Sequence, residues 1–184
     1  MPVTQHTYRA VALEDPEGQW GLDRGRLREK PSMSVSHNRQ MARLVHMLNA
    51  QLSMDEFEVR MNTGRLRFQD ETYFVPDVHV VPVSFVGLDT MAEESLDVLD
   101  RAVPLVVEVW SPSTGGYDDD RKIPEYRRRG DLEIWRIHPF EKILTMWRRR
   151  PDGTHAESSV GGGLVAPSAL PGVTVDLDEL FASG

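Results

Sequence analysis

Cysteine is absent from the 184 residues. That excludes disulfides and thiolate metal sites, so any metal must be held by carboxylates, histidines or backbone oxygens. No apolar stretch approaches the length of a membrane span, and the N-terminal segment MPVTQHTYRA lacks the cationic region, apolar core and cleavage site of a secretory leader. The cytoplasm is therefore the expected compartment, and no membrane is expected as a partner. A basic surplus is missing too. With a formal net charge of -8, binding to nucleic acid through bulk phosphate neutralisation is disfavoured, although local contacts stay open. Internal repeats, low-complexity tracts, zinc fingers and helix-turn-helix patterns are likewise missing.

What is present is an ordinary globular composition, 40% hydrophobic and 27% charged. The length suits one domain with a substantial core. Residues 1–24 read as an N-terminal arm, irregular or carrying a short helix, and residues 25–184 as a single domain. Gly21 to Lys30 suits a tight hairpin. From Ser36 onward Met41, Leu44, Val45, Leu48 and Leu52 recur at helical spacing, with Ser34 or Ser36 as the N-cap. His37 then falls in the first turn, where a neutral, hydrogen-bonded ring is the expected state.

Phe57, Val59 and Met61 alternate with Glu58 and Arg60, the pattern of a half-buried strand. Asn62-Thr63-Gly64 supplies a turn, after which Leu66 and Phe68 are expected to form a partner strand. Tyr73 to Val83 should be split at Pro76, which has no N–H to give a ladder. Residues 84–102 read as an acidic connector with a short helix. A helix capped by one of Asp118 to Asp120 should end at Gly130. Beyond it, Glu133 to His138, Ile143 to Arg148 and Thr154 to Val160 read as strands, and the DLDELF tail as a short helix. Helix, strands, helix and hairpins in this order predict an α/β or α+β domain with a mixed central sheet flanked by helices.

The most informative stretch is VPLVVEVWSPST, residues 103–114. It reads as a strand buried on both faces, with one charged residue, Glu108, at its centre. A carboxylate there needs a cation, a protonation shift or strong hydrogen bonds to be tolerated. If Asp77, after Pro76, lies on a neighbouring strand, the two acids converge at one end of the sheet and repel unless a cation separates them. A hard divalent ion, Mg²⁺ or Mn²⁺, suits such oxygen ligands. It would activate water and offset charge on a phosphate in the transition state. Lys122 at the helix entry could position that water, help deprotonate it, or stabilise the same charge. The structural alternative pairs Glu108 with an arginine such as Arg136 and turns Asp77 elsewhere.

The series YFVPDVHVV, then PLVVEVWSPSTGGYDDDRKIPEYRRRGDLEIWRIHP, then LPGVTVDLDELF, resembles the Uma-two family of restriction endonucleases within the PD-(D/E)xK nuclease superfamily. The likeness runs from about residue 25 to the end. It implies a restriction-endonuclease-like core, DNA as substrate, and Asp77 and Glu108 as ligands of Mg²⁺ or Mn²⁺, with the carbonyl of Val109 or Trp110 completing the coordination. Position 110, where the superfamily places its lysine, is Trp, so that lysine is implied to be shifted onto the following helix as Lys122. Pro124 bears on where that helix starts. Arg127 to Arg129 gain a reading as phosphate contacts, Arg127 and Arg128 foremost, and paired cuts by a homodimer suit the fold. The competing expectation is a nuclease-like scaffold without turnover that acts as a binding module.

Overall fold

The computed structural model describes residues 1–69, 71–87 and 95–182. In chain order it begins with helix α1 (Gln5–Glu14), the hairpin β1 (Trp20–Asp23) and β2 (Arg26–Glu29), and helix α2 (Val35–Asn49). Strands β3 (Phe57–Met61), β4 (Arg65–Phe68), β5 (Thr72–Phe74) and β6 (Val78–Pro82) follow, then β7 (Val98–Leu99) and β8 (Leu105–Val109). A helical stretch comes next: α3 (Gly115–Tyr117), a π-helical turn (Asp118–Lys122) and α4 (Ile123–Arg129). The chain closes with β9 (Glu133–His138), β10 (Ile143–Arg149), β11 (His155–Val160), β12 (Leu164–Val165), β13 (Val175–Asp176) and α5 (Leu177–Leu180).

Six strands in the order β11-β10-β9-β8-β6-β3 make the central sheet, and five in the order β2-β1-β5-β4-β7 make a smaller one. The central sheet is mixed because β8 and β9 run parallel while its other pairs are antiparallel. Parallel neighbours need a crossover, and the helical stretch from Gly115 to Arg129 supplies it.

Alternation along β8 sorts its side chains between two cores. Leu105, Val107 and Val109 join Met41, Leu44 and Leu48 of α2, together with Leu177 and Leu180 of α5, on one face. Val106 joins Ile123 and Tyr126 of α4 and Leu66, Phe68 and Phe74 of the small sheet on the other. Glu108 has the parity of Val106 and so points toward α4. A third cluster, including Tyr8, Ala12, Leu22 and Tyr73, seats α1 on the small sheet. Tyr8 is fully buried, and its hydroxyl donates to the Trp20 carbonyl at 2.9 Å.

Two expectations change. Strand β4 does not pair with β3: it pairs with β5 and β7, while β3 pairs with β6. The reason lies in Asn62 (φ 52°) and Gly64 (φ 70°), whose left-handed backbones carry the chain out of one sheet and into the other. Pro76 makes the complementary switch from β5 to β6, so the split of that apolar run is also a change of sheet. The acidic triplet caps nothing. Helix begins earlier, at Gly115, and Asp118 and Asp119 turn toward cations instead of orphan N–H groups. The expected connector helix falls partly on residues 88–94, outside the described residues; a 3₁₀ turn (Val83–Phe85) and β7 flank that segment.

His79 on β6 is fully buried, and neither ring nitrogen has a hydrogen-bond partner among the described residues. Burial, reinforced by the positive charges of Arg60, Arg129 and Lys30, pulls its pKa from 6.5 down to about 3. The folded ring thus stays neutral while the unfolded chain takes up a proton below pH 6.5. That contribution to stability is present above the unfolded value and is lost as the pH falls toward 3, by about 1.4 kcal/mol per pH unit. In metal-free buffer, His79→Leu is expected to lose less melting temperature than the natural protein between pH 7 and pH 5. Equal losses in thermal denaturation would count against this account of His79.

Candidate active site

Register places the two acids side by side. Val78 of β6 faces Val107 of β8 in an antiparallel pair, so Asp77 and Glu108 occupy the next opposed positions, where the strands run out. Asp77 is 1% exposed and Glu108 is 0% exposed. The Asp77 carboxylate is fixed by the sheet itself: Val109 N–H donates to its Oδ2 at 2.6 Å. His37 Nε2 lies 2.9 Å from the same oxygen. That ring is held at the start of α2, where Ser34 Oγ caps the helix by accepting from His37 N–H at 3.2 Å.

Lys122 enters from the crossover. Its Nζ lies 3.1 Å from Glu108 Oε2 and 3.0 Å from Asp118 Oδ1, and the side chain is 10% exposed. Tyr126 donates its hydroxyl to Glu108 Oε1 at 2.5 Å. Asp118, Lys122 and Tyr126 are spaced by four, so a helix stacks them on one face above Glu108. The π turn has a local cause. Pro124 cannot give an N–H to the preceding turn, and its ring crowds the carbonyl four residues back. The helix widens there, with Ile123 N–H reaching back five residues to the Asp118 carbonyl. Pro124 therefore does not expel the amine; Lys122, two residues before it, remains directed at Glu108.

A second ammonium was not foreseen from the sequence. Lys30, just past β2, places Nζ 2.5 Å from Asp77 Oδ1 and donates to Asn62 Oδ1 at 2.7 Å. Three buried carboxylates, Asp77, Glu108 and Asp118, thus share two lysines. Burial alone would raise the Asp77 pKa, but Lys30, His37 and Lys122 hold it well below the usual carboxylate range. Glu108 goes the other way. Burial pushes it to about 8, against the pull of Lys122 and with added repulsion from Asp118 and Asp77. Asp118 is raised by burial for the same reason. Lys122 stays protonated: burial lowers its affinity for the proton, and Glu108, Asp118 and Asp77 together more than restore it.

The cluster opens into a cavity of about 270 Å³ lined by Lys30, Asp77, Asp118 and Lys122 on the polar side. Glu108 lies beneath Lys122 and does not line it. Among the described residues no group of three or more histidines and acids forms a ready-made metal cage. The donors still suit a hard cation. Asp77 Oδ1 and Asp118 Oδ1 are buried without a well-aligned hydrogen-bond donor and are met only by ammonium groups. Mg²⁺ commonly takes one or two carboxylates and keeps its waters, which Asp77 and Glu108 can provide once Lys122 yields space.

The remaining candidates lie elsewhere. Arg136, opposite Glu108 in the β8–β9 register, pairs with Asp119 at 2.6 Å instead of with Glu108. Arg127 is exposed on α4. Arg128 is engaged by Glu125, at 3.0 and 2.8 Å from its two oxygens, and lines a different cavity with Arg67, Phe68 and Asp100. Asp118 and Tyr126 could have been found from their four-residue spacing about Lys122. For Lys30, which meets Asp77 only through tertiary folding, no local pattern gives the signal.

No curated protein matches the chain. A crystal structure described as a "putative nuclease belonging to DUF820" from Anabaena variabilis superposes with a TM-score of 0.78 over 98% of both chains at 19% identity, which establishes a shared fold. No helix among the described residues is long and apolar enough to cross a membrane. A family model described as "Putative restriction endonuclease" matches residues 6–178. That match, which spans most of the chain, assigns it to the Uma2 family.

Proposed function

We propose that this protein is a divalent-metal-dependent nuclease that hydrolyses phosphodiester bonds of DNA. The observation that carries the reading is the meeting of Asp77, Glu108 and Lys122 around one end of the central sheet, with Lys122 Nζ 3.1 Å from Glu108 and Asp77 bonded to the backbone beside it. Asp77 and Glu108 would hold the ion, Mg²⁺ or Mn²⁺. When bound, it supplies neutralisation of phosphate charge and a water of lowered pKa.

The chain's own residues do the rest. Val109 N–H and His37 keep Asp77 ionised and aimed, so no proton has to leave it before a cation arrives. Tyr126 fixes the rotamer of Glu108. Lys122, held protonated, serves as a fixed positive charge for the phosphate oxygens and not as the base. Its two carboxylate partners give it up only when another cation takes over their charge. A nuclease-like scaffold without turnover is the second reading, favoured by the fact that two ammonium groups already balance much of the acidic charge.

Lys122→Met and Glu108→Gln are each expected to cut Mn²⁺-dependent cleavage of DNA by about 10² to 10³-fold, in the range for loss of one charge-stabilising group. Circular dichroism should show the fold retained. Cleavage unchanged in both variants would remove these residues from the site. Lys30→Met should tighten Mn²⁺ binding about tenfold in calorimetry, because it deletes the positive charge competing for Asp77 Oδ1. Unchanged or weaker binding would contradict that role for Lys30.

A further inference from the structure

Resting on the nuclease reading, we propose that the substrate enters as a single strand, with one nucleotide seated in the cavity above Asp77 and Lys122, and that continuous duplex is excluded. Asp77, Asp118 and Lys122 are 1%, 2% and 8% exposed, and Glu108 below them has no exposure. A phosphate can approach these groups only by entering the cavity.

The cavity, about 270 Å³, sits at the lower limit of small-molecule pockets, roughly 300 Å³. There is room for one nucleotide unit. An intact duplex holds each phosphate on an outer ridge, with stacked base pairs and a second strand behind it, so its backbone cannot be lowered into so small a space.

The walls are tied together. One is the small sheet, contributing Gly21, Arg28, Tyr73 and Phe74; the other is the segment from Ser113 to Lys122. Arg121 Nη2 bonds Asp23 Oδ1 across them at 2.6 Å, and the Tyr117 hydroxyl donates to Asp23 Oδ2 at 3.2 Å. Widening the entrance to admit a duplex would break both links.

The lining fits an unpaired base. Met33, Phe74, Val75 and Tyr117 give an apolar and aromatic surface, with Gln19 and Arg28 as polar groups alongside. Aromatic and apolar contact with a base face is tolerant of sequence and needs the base unstacked from its neighbours. The net charge of -8 agrees: Arg28, Lys30 and Lys122 face the cavity together with Glu29, Asp77 and Asp118, so attraction for phosphate is local and there is no basic track for a long duplex tract.

The test uses the full chain with Mn²⁺ for cleavage and Ca²⁺ for binding. A single-stranded DNA circle should be cut at least tenfold faster than a covalently closed duplex circle of the same sequence. By fluorescence anisotropy, a single-stranded 20-mer should bind at least tenfold more tightly than the matching duplex. Met33→Trp and Gln19→Trp, which fill the cavity from its rim, should each weaken single-strand binding at least tenfold while calorimetric Mn²⁺ affinity and the melting temperature stay unchanged. Equal cleavage of both circles, or undiminished single-strand binding in the two tryptophan variants, overturns the single-strand assignment and leaves the nuclease reading standing. Failure to bind Mn²⁺ or to cut either circle overturns the nuclease reading, and this inference with it.

Discussion

Too little positive charge is buried with too much negative. Asp77, Glu108 and Asp118 are withdrawn from water behind Lys30 and Lys122, and removing one partner of a buried ion pair typically costs about 3 to 5 kcal/mol. A fold seeking stability alone would place leucine or methionine at these positions. The cluster instead holds three carboxyl groups against two ammonium groups, and burial pushes Glu108 up to about 8, where it keeps its proton near neutral pH until another cation arrives. Much of the architecture maintains this condition. The β6–β8 pairing sets the two acids abreast, the crossover brings an amine over them, and α2 delivers His37 from the other side.

Backbone irregularities do the positioning. Asn62 and Gly64 switch the chain between sheets at the level of the site, and Asn62 then accepts from Lys30. A β-carbon at Gly64 would approach the His79 ring to 3.1 Å, in addition to the strain of its positive φ. Pro76 makes the return switch just before Asp77. Pro124 and the π turn set the pitch at which Asp118, Lys122 and Tyr126 face Glu108. Such turns concentrate where a helix carries chemistry and pays for it in regularity.

Much of this could be read before the fold was known. An uninterrupted apolar run holding one acid identifies the central strand and singles out Glu108 as the charge the fold must answer, because a lone carboxylate between valines is costly to bury. The α2 periodicity, a serine cap at Ser34 or Ser36, the break at Pro76 and the β9–β10–β11 hairpins follow equally from local pattern, and the fold selects Ser34. What escaped was decided by distant partners. Alternation at Leu66 and Phe68 identifies a strand but not its sheet. Asp118 looks like a helix cap until Lys122 is found four residues on. Lys30 becomes relevant only because the small sheet folds back over Asp77, a contact between residues 47 positions apart. Arg128, which its neighbours in the triplet suggest as a phosphate contact, is occupied by Glu125 one turn earlier.

The central claim is that the charge imbalance is made for a divalent cation. Crystals grown with Mn²⁺ and measured at the manganese absorption edge test it most directly. The account predicts one anomalous peak at the site formed by Asp77 and Glu108, with the Lys122 ammonium moved off Glu108. Full occupancy of Mn²⁺ elsewhere on the protein, or no peak while Lys122 keeps its place between Glu108 and Asp118, would contradict it.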